Sequence, residues 1–326
     1  MQQKFTFIDL FAGIGGFHTA AVRNGGECVF ASEIDSHAQA AYFANYGIQP
    51  HGDITQIDAS NIPDHDLLLG GFPCQPFSII GKGQGFDDIR GTLFFDIVRI
   101  LQAKRPQAFV LENVKRLASH HKGKTLARIL DALDELGYNT SWKILNALDY
   151  GLPQKRERVI LVGFLDHTIN FFWPEKVAQY IPLAHLLEQT VDEKHFVSQR
   201  IYEKRHAVHQ SQYQPGIWHE NKSGNVASHP YSCALRAGAS YNYLLVDGKR
   251  RLTPREMLRL QGFPDTFEIV CSDTQTRKQA GNAVPVPMIQ AVIQEVLCTQ
   301  TKTKKQQTQN KYRAVSVGRV SQLSYL

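Results

Sequence analysis

Short apolar runs alternate with helix-patterned stretches through the first 137 residues, and this alternation limits the fold more than any other feature of the chain. "FTFIDLFAGIGGF" (5–17) reads as a buried strand, a glycine turn and the start of a helix running to about Asn24. "ECVFASEID" (27–35) reads as a second strand ending in acidic residues, and "HDLLLGGF" (65–72) as a third. "GTLFFDIVRILQAKRP" (91–106) has the apolar spacing of a helix and is stopped by Pro106. A further strand, "QAFVLENV" (107–114), is followed by the helix "GKTLARILDALDELG" (123–137). Strands that alternate with helices predict an α/β fold with a doubly wound parallel sheet. "SWKILNALDYGLPQKRERVILVGF" (141–164) breaks the rule, because two apolar runs flank a Gly-Leu-Pro turn. That pattern predicts an antiparallel pair at one edge, so the sheet is mostly rather than wholly parallel.

From about Trp173 to Leu245 the periodicity dissolves into His, Gln, Ser, Tyr and Asn with scattered basic residues. This region is expected to be a second, smaller domain of irregular β structure, residues 174–249. Regularity returns at "RRLTPREMLRLQGFPDTF" (250–267) and in a helix around 285–298. The main domain is therefore expected to be discontinuous, 1–173 plus 250–298, with a polar, Gln/Lys-rich tail (299–326) that is mobile or loosely docked.

The five cysteines are odd in number and contain no CxxC pair, which argues against a disulfide framework and against a zinc cluster. His206 and His209 lack a third ligand, so no metal is expected. No run approaches the ~20 apolar residues of a membrane span and no signal peptide is visible, so a cytoplasmic location is expected. The formal net charge of +6 permits a polyanionic partner without requiring one.

Ligands of a doubly wound sheet gather at the carboxyl ends of its strands. Three loops stand out there. "FAGIGG" (11–16) lets backbone approach a ligand closely at a helix N-terminus, and Glu33 ends the second strand, where an acid grips ribose hydroxyls. The spacing departs from GxGxxG and no P-loop lysine follows, which favours an adenosine-bearing cofactor other than a dinucleotide or a nucleoside triphosphate. A dehydrogenase of this fold would also leave Cys74 idle. Cys74 stands between Pro73 and Pro76, residues that fix φ and offer no backbone N–H. Core packing does not call for so stiff a mount on a small thiol. Glu112 follows an apolar "FVL", where an unpartnered carboxylate would be costly. Arg156 and Arg158, two apart, point to one face if their segment is a strand, toward a shared pocket or a phosphate.

"DLFAGIGGF", "GGFPCQPFS", "LENV", "QKRERV", "RRLTPREMLRLQGFP" and "GNAVPVP" stand in an order and spacing that resemble the DNA (cytosine-5)-methyltransferases of bacterial restriction–modification systems. The resemblance covers 5–165 and 250–298. It implies a Rossmann-like, S-adenosylmethionine-dependent enzyme acting on a cytosine flipped out of double-stranded DNA. Cys74 would add to carbon 6 so that carbon 5 can accept a methyl group, and Glu112 would contact the N3 edge. Arg158 and Arg156 would hold the target nucleotide or its phosphate. The cofactor would lie against Phe11, Ala12, Gly13, Gly15 and Gly16. Glu33 beside Ile34 would bind its ribose, and Asp53 beside Ile54 its adenine amine. Pro73, Asn282 and Ala283 would line the same pocket. Gln75, Ser78, Asn113 and Gln154 would face the substrate DNA, with Asn113 also fixing its loop, and "IIGKGQGFDDIRG" (79–91) would close as a lid.

By the same resemblance, 174–249 would be the target-recognition domain, with Arg236, Tyr241 and Asn242 as DNA contacts. Where the family often has a Thr-Leu pair, this chain has Ala234-Leu235. The enzyme would act as a monomer, with a cognate restriction endonuclease as a genetic rather than physical partner. Two alternatives stay open. A tRNA cytosine-5 methyltransferase would share the catalytic set, although a long variable region favours DNA. A non-catalytic DNA-binding relative would have no need of an intact Pro-Cys-Gln and Glu-Asn-Val.

Overall fold

The computed structural model describes residues 4–73 and 93–320, with side chains through residue 303. Cys74, Gln75, Ser78 and the expected lid over 79–91 lie outside the described residues. The first part of the chain forms β1 (Phe5–Leu10), α1 (Gly16–Arg23), β2 (Gly26–Ser32), α2 (Ser36–Tyr46), β3 (Leu67–Gly71) and α3 (Leu93–Lys104). Then come β4 (Ala108–Val114), α4 (Lys124–Glu135), β5 (Asn139–Asn146), β6 (Gln154–Lys155) and β7 (Glu157–Phe164). The remainder holds α5 (Gln199–Val208), β8 (Ile217–Glu220), β9 (Val226–His229), β10 (Ser232–Cys233), β11 (Leu244–Val246), α6 (Pro254–Gln261), α7 (Asp273–Asn282) and α8 (Val286–Val320).

The large sheet has the order β2-β1-β3-β4-β7-β5. All its strands run parallel except β7, which is antiparallel to both β4 and β5. The expected antiparallel edge pair is thus present, in the register Asn139↔Phe164 to Asn146↔Glu157. Strand order reverses between β1 and β3, the switch point at which such sheets open a crevice.

Successive side chains point to opposite faces, so each strand feeds two cores. Phe5, Phe7, Leu67, Leu69, Val110, Ile160 and Val162 pack on the face covered by α1, α6 and α8. Ile8, Leu10, Leu68, Phe109, Leu111, Val159 and Leu161 pack on the face covered by α3 and α4. Each fully buried aliphatic or aromatic side chain contributes about 1.5–3 kcal/mol, against about 0–1 kcal/mol for an exposed ion pair. The two apolar layers therefore hold the frame, and surface charges do not.

The "RRLTPRE" segment encodes the start of α6. Thr253 caps Glu256 N, Pro254 takes the first turn, and Glu256 accepts in return from Thr253 N. Arg250 grips the same buried carboxylate with two bonds of 2.8 Å.

Beyond residue 173 the sequence reading needs two corrections. A small antiparallel sheet, β11-β8-β9, is present, but the region also contains the helix α5, absent from the reading as irregular β structure. α5 has no apolar stripe to announce it. Its buried Arg205 instead donates to Glu220 Oε2 (2.6 Å) and to the Asn242 carbonyl (2.7 Å). The tail was expected to follow a helix ending near 298, yet α8 continues to Val320. Among the described residues no helix is long and apolar enough to cross a membrane.

Candidate active site

A cavity of about 370 Å³ opens at the carboxyl ends of β1, β3 and β4, within the usual range for a small-molecule site. The glycine turn forms one wall. Phe11 and Gly13 both adopt φ of 55°, and a Cβ at Gly13 would meet nothing within 4 Å, so bare backbone faces open space. The Gly13 N–H donates to Glu33 Oε2 and the Asp35 N–H to Glu33 Oε1, each at 2.8 Å. Glu33 therefore braces the turn and lines the cavity together with Ala12 and Ile34. Gly15 serves differently from its expected ligand contact. At φ 81° it lies against Tyr46, whose ring a Cβ would meet at 2.2 Å, and it does not line the cavity. Gly16 lines it and packs on Val284, 2.7 Å from a would-be Cβ. Asp53 and Ile54 line an adjoining recess of about 70 Å³ shared with Phe11, Glu33 and Ile34.

The floor comes from β4 and β7. Glu112 continues the alternation of Val110, and Arg158 that of Ile160, so both side chains stand on the same face of the sheet. Arg158 Nε lies 2.7 Å from Glu112 Oε1, with both side chains nearly buried. Asn113 Nδ2 donates to the Phe72 carbonyl at 2.9 Å, and its Oδ1 accepts from Val114 N. This ties the end of β4 to the residue that leads into Pro73, which also lines the cavity. Asn113 is buried, fixes the loop and lines the cavity.

Two expected substrate contacts are corrected. Arg156 does share the cavity with Arg158, but it is 1% exposed. Its Nη1 donates to the Leu235 carbonyl (2.8 Å), and its Nη2 to those of Gly281 (2.9 Å) and Ala283 (2.8 Å). Burial, and then the neighbouring Arg158, push its pKa down to about 9. Arg156 clamps backbone through Nη1 and Nη2, while its buried Nε has no hydrogen-bond partner. Gln154 is fully buried. It donates to the Leu260 carbonyl (2.8 Å) and accepts from Leu235 N (3.0 Å). Strand pairing of β10 with β6 closes the same seam. Arg156→Met removes three hydrogen bonds to buried carbonyls, of which only that of Ala283 keeps another donor, Gln261 Nε2 at 3.1 Å. We expect it to lower unfolding free energy by about 3 kcal/mol, at about 1 kcal/mol for each lost bond, measured by urea denaturation.

Beneath the glycine turn lies a buried polar cluster. His18 Nδ1 is 2.7 Å from the Tyr42 hydroxyl, and its ring stacks on Tyr46 at 4.0 Å. Burial pushes the His18 pKa down to about 4, and raises that of the neighbouring Asp9. A histidine held neutral contributes stability that is present above about 6.5 and lost as pH falls toward 4; the Asp9 trend opposes it. The His18 part is isolated by His18→Gln. The stability advantage of the parent over this variant should shrink by about 2 kcal/mol from pH 7 to pH 5, read by denaturant unfolding at each pH.

Asn282 and Ala283 line the wall opposite the glycine turn, as expected, beside two residues that the sequence reading missed. Lys278 pairs with Asp35 at 2.7 Å and Gln279 lies next to it. The signal was available: 278 and 282 are one helical turn apart in "RKQAGN" and share a face. Arg236 lies away from the cavity and is exposed, its guanidinium 4.8 Å from the Tyr243 ring centre.

Comparison with known proteins bears on this arrangement. Residues 5–298 match the family model described as C-5 cytosine-specific DNA methylase. The chain is 57% identical over 287 residues to the Type II methyltransferase M.NgoBI of Neisseria gonorrhoeae, covering 87% of this chain and 90% of that protein. It is 54% identical over 294 residues to the Type II methyltransferase M.HaeII of Haemophilus aegyptius, covering 89% and 92%. Among solved structures, a DNMT2 of Spodoptera frugiperda superposes with a TM-score of 0.71 at 22% identity, over 89% of this chain and 98% of that one. At that identity the likeness speaks for the fold alone.

Proposed function

The chain belongs to the C-5 cytosine-specific DNA methylases, and from that premise we propose which of its residues perform the reaction and how. It is a C-5 cytosine DNA methyltransferase of the restriction–modification type. The DNA reading, not the tRNA one, is the reading carried by the family.

The observation that supports our assignment is the nearly buried Glu112–Arg158 pair on the cavity floor. It lies one strand away from the segment that enters the Cys74 loop. Cytosine carbon 5 is too electron-poor to accept a methyl group unaided. The thiolate of Cys74 forms a bond to carbon 6, and the displaced electron pair moves to the N3 side of the ring, where Glu112 holds a proton. Arg158 fixes Glu112 for that contact. Carbon 5 is thereby made nucleophilic toward a methyl group, which S-adenosylmethionine would supply by giving up its sulfur–methyl bond. The N3 proton would return to Glu112, and loss of the carbon 5 proton would let the thiolate depart as the carbon 5–carbon 6 double bond returns.

S-adenosylmethionine fits the cavity. Gly13 offers bare backbone, the volume suits a ligand of that class, and Phe11 presents an aromatic ring beside it. Phe11, Gly13, Glu33, Ile34, Pro73, Asn282 and Ala283 would hold it, with Asp53 and Ile54 at the adjoining recess. When bound, it supplies the methyl group.

Residues 1–173 and 250–298 carry the chemistry, and 174–249 read double-stranded DNA. Bisulfite sequencing of plasmid DNA from cells expressing the protein tests the function. Protected cytosines within one short sequence are expected, and fully converted DNA would overturn it.

A further inference from the structure

Helix α7 has two working faces. Lys278 and Asn282 line the cavity, Arg277 faces the segment 236–243, and Gly281 both lines the cavity and touches that segment. A Cβ on Gly281 would come within 2.4 Å of Ala237 N, so helix and segment touch backbone to backbone. Arg277 Nη2 donates to the carbonyls of Ala239 (2.6 Å) and Ser240 (2.8 Å). Its guanidinium lies 4.8 Å from the Tyr241 ring centre and 5.8 Å from that of Tyr243. Arg251 reaches the Tyr241 ring at 4.8 Å and donates to Asn242 Oδ1 at 2.8 Å. Residues 236–243 belong to no helix or strand; Arg205 holds the Asn242 carbonyl and Tyr243 OH accepts from Arg236 N, whereas the stretch 239–241 between them is held by Arg277 and Arg251.

We propose that Arg277 is a positioning residue for DNA recognition: from the wall of the cofactor cavity it holds the 236–243 segment in the shape that presents Arg236 and Tyr241 to the duplex. The proposal rests on the reading of 174–249 as the DNA-contacting region. Two carbonyls that converge on one guanidinium fix the turn of the segment, and the Arg277–Tyr241–Arg251 stack fixes its tip. A segment shaped in advance loses less freedom on binding DNA than one ordered by the encounter. Arg236 then stands exposed next to the cationic stack.

The test uses the full-length enzyme and a duplex oligonucleotide carrying the site mapped by bisulfite sequencing. Arg277→Ala should raise KM for DNA about tenfold, with kcat and the cofactor KM within about twofold. Arg277→Lys keeps the charge but loses the planar fork, and should raise it only about threefold. Should the alanine variant fail to fold, Arg277→Gln reads the same split. Arg236→Ala separates the two ideas. If it raises KM for DNA while Arg277→Ala does not, the positioning role falls and the recognition reading stands. If neither variant moves it, the recognition reading falls and the positioning role falls with it. An equal rise in DNA and cofactor KM would also overturn the proposal, since that is a general defect of the fold.

Discussion

Cys74→Ser is expected to slow methyl transfer by about 10⁴-fold or more while cofactor affinity stays within about twofold. A serine hydroxyl is a poor nucleophile without an adjacent base, whereas a cysteine is a few per cent thiolate near neutral pH and intrinsically reactive. Pro73 and Pro76 restrict the backbone on both sides, and a positioned nucleophile gains most from such restriction. The approach to the loop is also registered: Gly70 pairs with Leu111 and Gly71 with Glu112 across the β3–β4 ladder. Labelled-methyl incorporation and cofactor titration would measure the two quantities. A duplex carrying 5-fluorocytosine should trap a covalent adduct with the parent protein and none with the variant. Near-normal turnover in the serine variant would refute covalent catalysis by this residue.

The second large effect is expected at Glu112. Glutamine keeps the size and one accepting oxygen but cannot give a proton to the ring, so Glu112→Gln should lower kcat about 10³-fold. It also leaves the Arg158 guanidinium, 2.7 Å from Glu112 Oε1, facing a neutral partner. The effects of Arg158→Ala and Glu112→Gln should therefore fall short of additive when combined, because the two side chains act as one unit. Single-turnover methylation separates this from a binding defect. A glutamine variant within tenfold of the parent would remove Glu112 from the chemistry.

Much of the frame was legible in the sequence because each sheet strand announces itself by apolar density and its helices by period. The β5–β7 hairpin was readable from one glycine-proline turn. α2 was not, since its boundaries rest on the Asp35 cap and on Gly47 in a left-handed conformation, not on an apolar stripe. α5 escaped for a related reason, being anchored by a buried arginine. In the site, strand parity put Arg156 and Arg158 on one face, but the pairing of Arg158 with Glu112 depends on the β4–β7 register, which the sequence does not display. Parity also brought Arg156 to the right cavity, but it says nothing about which acceptors a guanidinium finds there. The three carbonyls it holds come from residues 235, 281 and 283, separations that no local pattern encodes. Gly15 misled similarly: its φ was needed, but for the ring of Tyr46 and not for a ligand.

The contact between Gly16 and Val284 joins two walls of the pocket that are far apart along the chain. During synthesis, the glycine-turn wall of the pocket emerges long before the wall formed by Asn282, Ala283 and Val284. A polypeptide released early, anywhere short of about residue 284, has one jaw and nothing to close it on. Products stalled short of that point should therefore be silent rather than promiscuous.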